Sequence, residues 1–147
     1  MSAPRSTNLR ATNLRADVQI AGIAEGPVLK LQKPISFWGG VDQKSGRIAD
    51  PRHPDHPANV KGTVLVLPGM IGSSSSSYVM AELMMDGNAP AALILPEADA
   101  ILALGVMVAT EMGWGSIPVL LLPREQHAAL ETGMHVKILA DGRIISS

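Results

Sequence analysis

The chain contains no cysteine. Disulfides, thiolate zinc sites and thiol nucleophiles are therefore excluded, and so is an iron–sulfur cluster held by thiolates of this chain. Aromatic residues are scarce, at 3%, with Phe37, Trp38, Tyr78 and Trp114 as the whole set. The core must then be built from aliphatic side chains, alanine and the eight methionines. Charge is thin at 17%, and 13 acids against 12 Lys and Arg leave a formal charge of −1. Such a balance offers no field for nucleic acid or for an anionic membrane. No apolar run approaches the roughly 18 residues that a spanning helix needs. The expectation is a soluble, cytoplasmic protein with neither membrane nor nucleic acid as a partner.

What is present amounts to one domain's length: 147 residues, 46% of them apolar, with a mean hydropathy of +0.21. A domain of this size has much surface to cover and few charges to cover it with. Part of the apolar surplus is expected to meet a partner; a tightly packed aliphatic monomer is the competing account. Residues 1–16 read as a flexible tail, and 17–147 as the folded domain. The tail carries a tandem repeat, Thr7-Asn8-Leu9-Arg10-Ala11 and then Thr12-Asn13-Leu14-Arg15-Ala16, with no acid. Organelle transit peptides share that composition, although a disordered start or an extra partner contact accounts for it as well.

From Asp17 onward the pattern predicts strands around Val18–Ile20 and Val28–Leu31, with Gly26-Pro27 as punctuation. A long irregular stretch, 34–59, follows; such loops tend to carry function. Three continuous apolar runs, 62–67, 91–95 and 118–122, have the look of strands buried on both faces. Between them lie a helix from about Tyr78 to Asp86, stopped by Gly87, and a second from an Asp99 cap to about Glu111, stopped by Gly113. Residues 135–146 read as a hairpin turning at Asp141-Gly142. The fold class is α/β: a short parallel β-α-β-α-β core joined by right-handed crossovers, flanked by antiparallel strands in a layered β/β/α domain.

The strongest chemical feature is Leu67-Pro68-Gly69-Met70-Ile71-Gly72 followed by the serines Ser73–Ser77 and a helix. A glycine turn there aims the first N–H groups of the helix at one point, which favours negative charge. Five serines exceed what capping alone requires. No Lys stands where a Walker-type loop needs one. Ser36-Phe37-Trp38-Gly39-Gly40 could wall a pocket, anchor a partner or close the end of the core. In Asp50-Pro51-Arg52-His53-Pro54-Asp55-His56-Pro57 the acids and histidines suggest a metal site, but the prolines space them irregularly. A loop offering Arg52 and His53 to an anionic ligand is the stronger reading. His127 and His135 stand alone and are expected at the surface.

Ser36–Asp42, Gly46–Pro54, Leu67-Pro68-Gly69, Gly72–Tyr78 and Ile101–Gly105 together resemble the small subunit of aconitase X. This is the swivelling domain of an aconitase-superfamily dehydratase, and the likeness runs over residues 17–139. The resemblance implies a swivelling β/β/α fold and a Cys-bearing large subunit that holds an iron–sulfur cluster. No cofactor or metal would be bound by this chain, and the active site would lie at the subunit junction. It also implies that Ser73 is the catalytic base, with Gly72, Ser74, Ser75, Arg52 and His53 as candidate substrate contacts. Aconitases carry Gly-Ser-Ser-Arg at this run, the Arg gripping a second carboxylate. Ser75 stands in its place here, so a small monocarboxylate substrate is expected.

Known activities of the family are dehydration of cis-3-hydroxy-L-proline to a pyrroline carboxylate and dehydration of phosphomevalonate. The unbroken serine run and Trp38 tilt the resemblance toward the first. Outside this chemistry, the alternative is a non-catalytic module binding small anions or a protein partner. A serine base needs its pKa lowered by about six units, roughly 8 kcal/mol. Two well-aimed amide donors plus a helix dipole come close to that in a site closed to water, and only a second polypeptide could close it.

Overall fold

The computed structural model describes residues 13–146. Eight strands form one mixed sheet: β1 (Asn13–Arg15), β2 (Asp17–Ile20), β3 (Ala24–Lys30), β4 (Val64–Val66), β5 (Ala92–Leu95), β6 (Val119–Leu121), β7 (His135–Ile138) and β8 (Arg143–Ser146). Their order is β1-β8-β7-β3-β4-β5-β6-β2. Strands β3 to β6 run parallel, and the other pairings are antiparallel. Two helices complete the frame, α1 (Ser76–Met85) and α2 (Ala100–Glu111).

β1 and β2 lie at opposite ends of the strand order, yet only Ala16 separates them. The two edges must therefore meet, and the sheet closes on itself as a small barrel. Ala16 donates its N–H to the Gly142 carbonyl at 2.9 Å and is buried. Of the tail predicted over 1–16, the first repeat copy lies outside the described residues. The end of the second copy is strand, so the ordered domain starts earlier than the sequence suggested. Leu14, Ala16 and the barrel interior explain why: alternate residues of this segment face inward.

Strand alternation divides the apolar residues between two cores. Val28, Val64, Val66, Ala92, Ile94, Leu120, Val136 and Ile144 fill the barrel. Leu29, Leu65, Leu67, Leu93, Leu95 and Val119 face outward and are covered by Val79, Met80 and Leu83 of α1 and by Leu102 and Val106 of α2. The layered β/β/α arrangement and the parallel β-α-β-α-β centre are as the sequence predicts. Gly26-Pro27 is a correction. It does not break the strand but sits where β3 passes from its antiparallel partner β7 to its parallel partner β4.

The 34–59 stretch is anchored rather than loose. Ile35, Phe37, Val41 and Ile48 are buried in the helix-side core, and short bridges join Val41 to Ile48 and Arg47 to Asn59. The hairpin at the carboxyl end turns as expected, with the Gly142 N–H donating to the Leu139 carbonyl at 2.9 Å. Asp99 caps α2 as expected, its Oδ1 accepting from the N–H groups of Ile101 and Leu102 at 3.0 Å each.

Candidate functional site

Parallel strands β3, β4 and β5 finish at one end of the barrel, and three of the sequence's candidate segments emerge there. After β4 the chain runs through Pro68 to Gly72 into α1. After β3 it runs through Gln32–Ile35, and Ile35 pairs with Met70 while the Ile71 N–H donates to the Ile35 carbonyl at 3.2 Å. The Asp50–Pro57 loop is tied to the same strand extension. Asp55 accepts from the Gln32 N–H at 2.8 Å and from its side-chain amide at 3.0 Å.

Ser73 is half-buried just before α1. Its Oγ accepts from the Ser75 N–H at 3.3 Å, and its carbonyl accepts from the Ser76 N–H at 3.0 Å. The hydroxyl thus lies at the mouth of the helix, on the side where the dipole favours negative charge. One amide is aimed at it, where the sequence suggested two, and that contact is longer than an optimal hydrogen bond. Gly72 and Ser74 are exposed beside it. Ser75 caps α1 through its backbone, with the Val79 N–H donating to its carbonyl at 3.2 Å. Ser77 Oγ donates to the Ser74 carbonyl at 3.0 Å. Ser76 is buried, and among the described residues its Oγ has no hydrogen-bond partner. The run therefore divides its labour: Ser73 and Ser75 shape the helix mouth, Ser74 faces solvent, and Ser76 faces the core.

Arg52 and His53 part company. The Arg52 side chain is 91% exposed, and its Nε lies 3.2 Å from Asp50 Oδ1. That carboxylate also accepts from the Arg52 N–H at 2.9 Å, and these two bonds hold its pKa below the ordinary value. The His53 side chain is only 6% exposed. Its Nε2 lies 3.0 Å from the Lys33 carbonyl, and its Nδ1 accepts from the Asp55 N–H at 3.1 Å. Both ring nitrogens are engaged, Nε2 as donor and Nδ1 as acceptor, so His53 fastens the loop and has no donor left for a ligand. This corrects the expectation that it offers one. His56 is likewise turned to a carbonyl, with Nδ1 2.7 Å from that of Ile48. Among the described residues no group of three or more His, Asp or Glu is placed to hold a metal ion.

The aromatic pair also divides. Phe37 is fully buried, whereas Trp38 is 55% exposed on a kinked turn in which Gly39 takes φ of 82°. Asp42 closes the neighbouring turn, accepting from the Lys44 N–H at 3.1 Å and from Ser45 Oγ at 2.9 Å, and these bonds lower its pKa. His127, expected at the surface, is buried, with Nε2 2.7 Å from the Leu122 carbonyl. Burial pushes its pKa below the ordinary imidazole value. His135 is exposed, as expected.

The sequence reading missed a second feature. An open groove of about 310 Å³ runs between α1 and α2, lined by Ser77, Tyr78, Ala81, Glu82, Met85, Leu104, Val108 and Trp114. Ser77 and Tyr78 belong to the first turn of α1, so the groove begins close to Ser73. The signal was available: from Ala100 to Thr110, α2 carries no charged residue.

Comparison with known proteins places this geometry. The model of the aconitase X swivel domain matches residues 13–147. The chain belongs to the aconitase X swivel-domain family. The swivel-domain barrel seen here superposes on the crystal structure of Thermococcus kodakaraensis aconitase X in its holo-form with a TM-score of 0.81. That match is 32% identical and covers 93% of this chain and 99% of the other. The chain is 42% identical over 125 residues to cis-3-hydroxy-L-proline dehydratase of Pseudomonas aeruginosa, of which it spans 21%. It is 40% identical over 121 residues to the phosphomevalonate dehydratase small subunit of Methanothermobacter thermautotrophicus, of which it spans 88%. The aconitase X match begins where β1 begins, which agrees with the barrel needing that strand.

Proposed function

We propose that this swivel domain is the small-subunit part of an aconitase X hydro-lyase and that Ser73 is its base. The observation that carries the reading is the half-buried Ser73 hydroxyl at the mouth of α1 with the Ser75 N–H directed at it. One long amide contact and a helix dipole fall short of the roughly 8 kcal/mol that an alkoxide requires. Further donors and the exclusion of water must therefore come from a partner polypeptide, and the domain alone is inactive on this account. The partner is a large subunit bearing the cysteines that this chain lacks. With no thiolate here, this chain cannot serve as the holder of an iron–sulfur cluster; in the partner, such a cluster would supply a Lewis acid for the departing hydroxyl.

In the reaction, Ser73 Oγ takes the proton from the carbon next to the substrate carboxylate. The C–H pair becomes the new double bond, and the hydroxyl on the neighbouring carbon, protonated by an acid that the partner would supply, leaves as water. Ser73 then returns its proton to solvent. Gly72 and Ser74, exposed beside Ser73, would meet the carboxylate.

Phosphomevalonate is the substrate to test first. The chain aligns with nearly the whole of the Methanothermobacter small subunit, and it is 38% identical over 128 residues to another small subunit of that name, that of Methanopyrus kandleri. Arg52, 91% exposed although its Nε is paired with Asp50, would turn its remaining guanidinium N–H groups to a phosphate. cis-3-Hydroxy-L-proline, toward which the sequence tilted, is the second reading, supported by the 42% identity to the Pseudomonas enzyme. Turnover of both substrates by the chain assembled with its large subunit separates them. In that assembly Ser73→Ala is expected to lower kcat by at least about 10³-fold while leaving the subunits together. A variant with near wild-type turnover would remove Ser73 from the base role.

A further inference from the structure

We infer that the α1–α2 groove is a docking surface for a partner protein face that presents apolar side chains ringed by Lys and Arg. The inference rests on the proposed function in one respect: the partner it commits to is the large subunit.

The first argument is the composition of α2. A helix on the surface of a domain ordinarily keeps a polar outer face, and one that is apolar all round is a buried helix. α2 buries Leu102, Ala103, Gly105, Val106 and Ala109 against the sheet and α1. Its outer face is then Leu104, Met107 and Val108, exposed at 50%, 57% and 43%. Tyr78 and Met85 of α1 continue the patch, and so does Met112 at the end of α2; all three are exposed. The helix has 12 residues and is too short to cross a membrane. A second protein surface is what would complete its burial, and methionines suit a surface that must adapt to one.

The second argument is charge. Between Gly62 and Pro123 the sequence has no Lys, Arg or His, and five acids: Glu82, Asp86, Glu97, Asp99 and Glu111. Asp99 is spent on the α2 cap. Glu82 lines the groove, where its Oε2 accepts from Tyr78 Oη at 3.0 Å, and Asp86 and Glu111 are exposed at the ends of the two helices. The rim is therefore acidic, with no base supplied by either helix. A second copy of this chain would bring like charges together across the contact, and an anionic membrane would be repelled. A partner with a basic rim is the electrostatic complement.

The experiment co-expresses the chain with its large subunit and measures the dissociation constant by analytical ultracentrifugation at two salt concentrations. Leu104→Arg and Val108→Arg are expected to weaken association at least 30-fold while keeping the wild-type circular dichroism spectrum. Their side chains are exposed and Arg is a good helix former. Glu82→Gln is expected to weaken it several-fold at low salt and to flatten its salt dependence. Association of the wild type with unchanged affinity in both Arg variants overturns the groove and leaves the proposed function standing. Failure of the wild type to associate with the large subunit at all overturns both. Self-association of the lone chain at micromolar concentration, abolished by the same variants, assigns the groove to a second copy and overturns the inference.

Discussion

Replacing Gly105 by alanine separates the packing of the two helices from every other influence on the site. Gly105 lies inside α2, and its backbone is ordinary helix, so the substitution adds a methyl group without φ strain. Placed there, a Cβ would sit 2.6 Å from the Ser77 carbonyl oxygen, 2.8 Å from Met80 Cβ and 3.2 Å from Ser77 Cα. These are atoms of the α1 backbone and its first side-chain carbon, which cannot swing away; α1 itself must move. Overpacking of this kind costs about 1–3 kcal/mol, against a gain of about 1 kcal/mol in helix propensity on replacing glycine by alanine. With two contacts below 3 Å, the net loss should fall near about 1–2 kcal/mol. In urea the midpoint should drop with the slope unchanged, and the melting temperature should fall by roughly 2–8 °C. The shift acts at Ser77, four residues after Ser73, so the Ser75–Ser73 contact, already 3.3 Å, should lengthen. Turnover of the assembled enzyme should then fall below what the folded fraction alone predicts. A Gly105→Ala protein as stable as wild type, or more so, would refute the close approach, because the propensity gain would have gone unopposed.

Two further measurements probe the interior. Ser76→Ala removes a buried hydroxyl that has no partner among the described residues. It should leave stability unchanged or raise it by up to about 1 kcal/mol, with turnover retained, as read by urea titration and a dehydratase assay. His127 is buried with a pKa below the ordinary 6.5, so the unfolded chain takes up its proton before the folded one does. Its contribution is fully present above pH 6.5 and is lost as the pH falls below that value; urea midpoints between pH 7.5 and 5 should show the decline. In His127→Gln this part of the decline should disappear.

How far the sequence could be read depended on whether a signal was local. The strands at 64–66, 92–95 and 119–121 and the two helices follow from apolar runs and their punctuation, and Asp99 announced its cap directly. The hydrogen-bonding roles of the serines were not legible, because the α1 backbone alone decides which hydroxyl meets an amide and which meets the core. His53 and His127 were misjudged for one reason: each is fixed by a backbone carbonyl, that of Lys33 or of Leu122, and the path of the backbone, which sets that contact, is not written in the residue types. The closing role of Asn13–Arg15 depends on a pairing with residues 143–145 at the far end of the chain. By contrast, the groove was legible and overlooked. A run of 62 residues without a basic side chain, from Gly62 to Pro123, can be counted directly.

Residues 13–20 serve both rims of the sheet, giving β1 to β8 and β2 to β6. Among the described residues the two end strands, β1 and β2, are only three and four residues long, so neither offers another chain a long row of backbone amides and carbonyls to extend. Contact with a second polypeptide must therefore go through side chains and turns rather than through an added strand. A joint of that kind would form and release without disturbing any ladder.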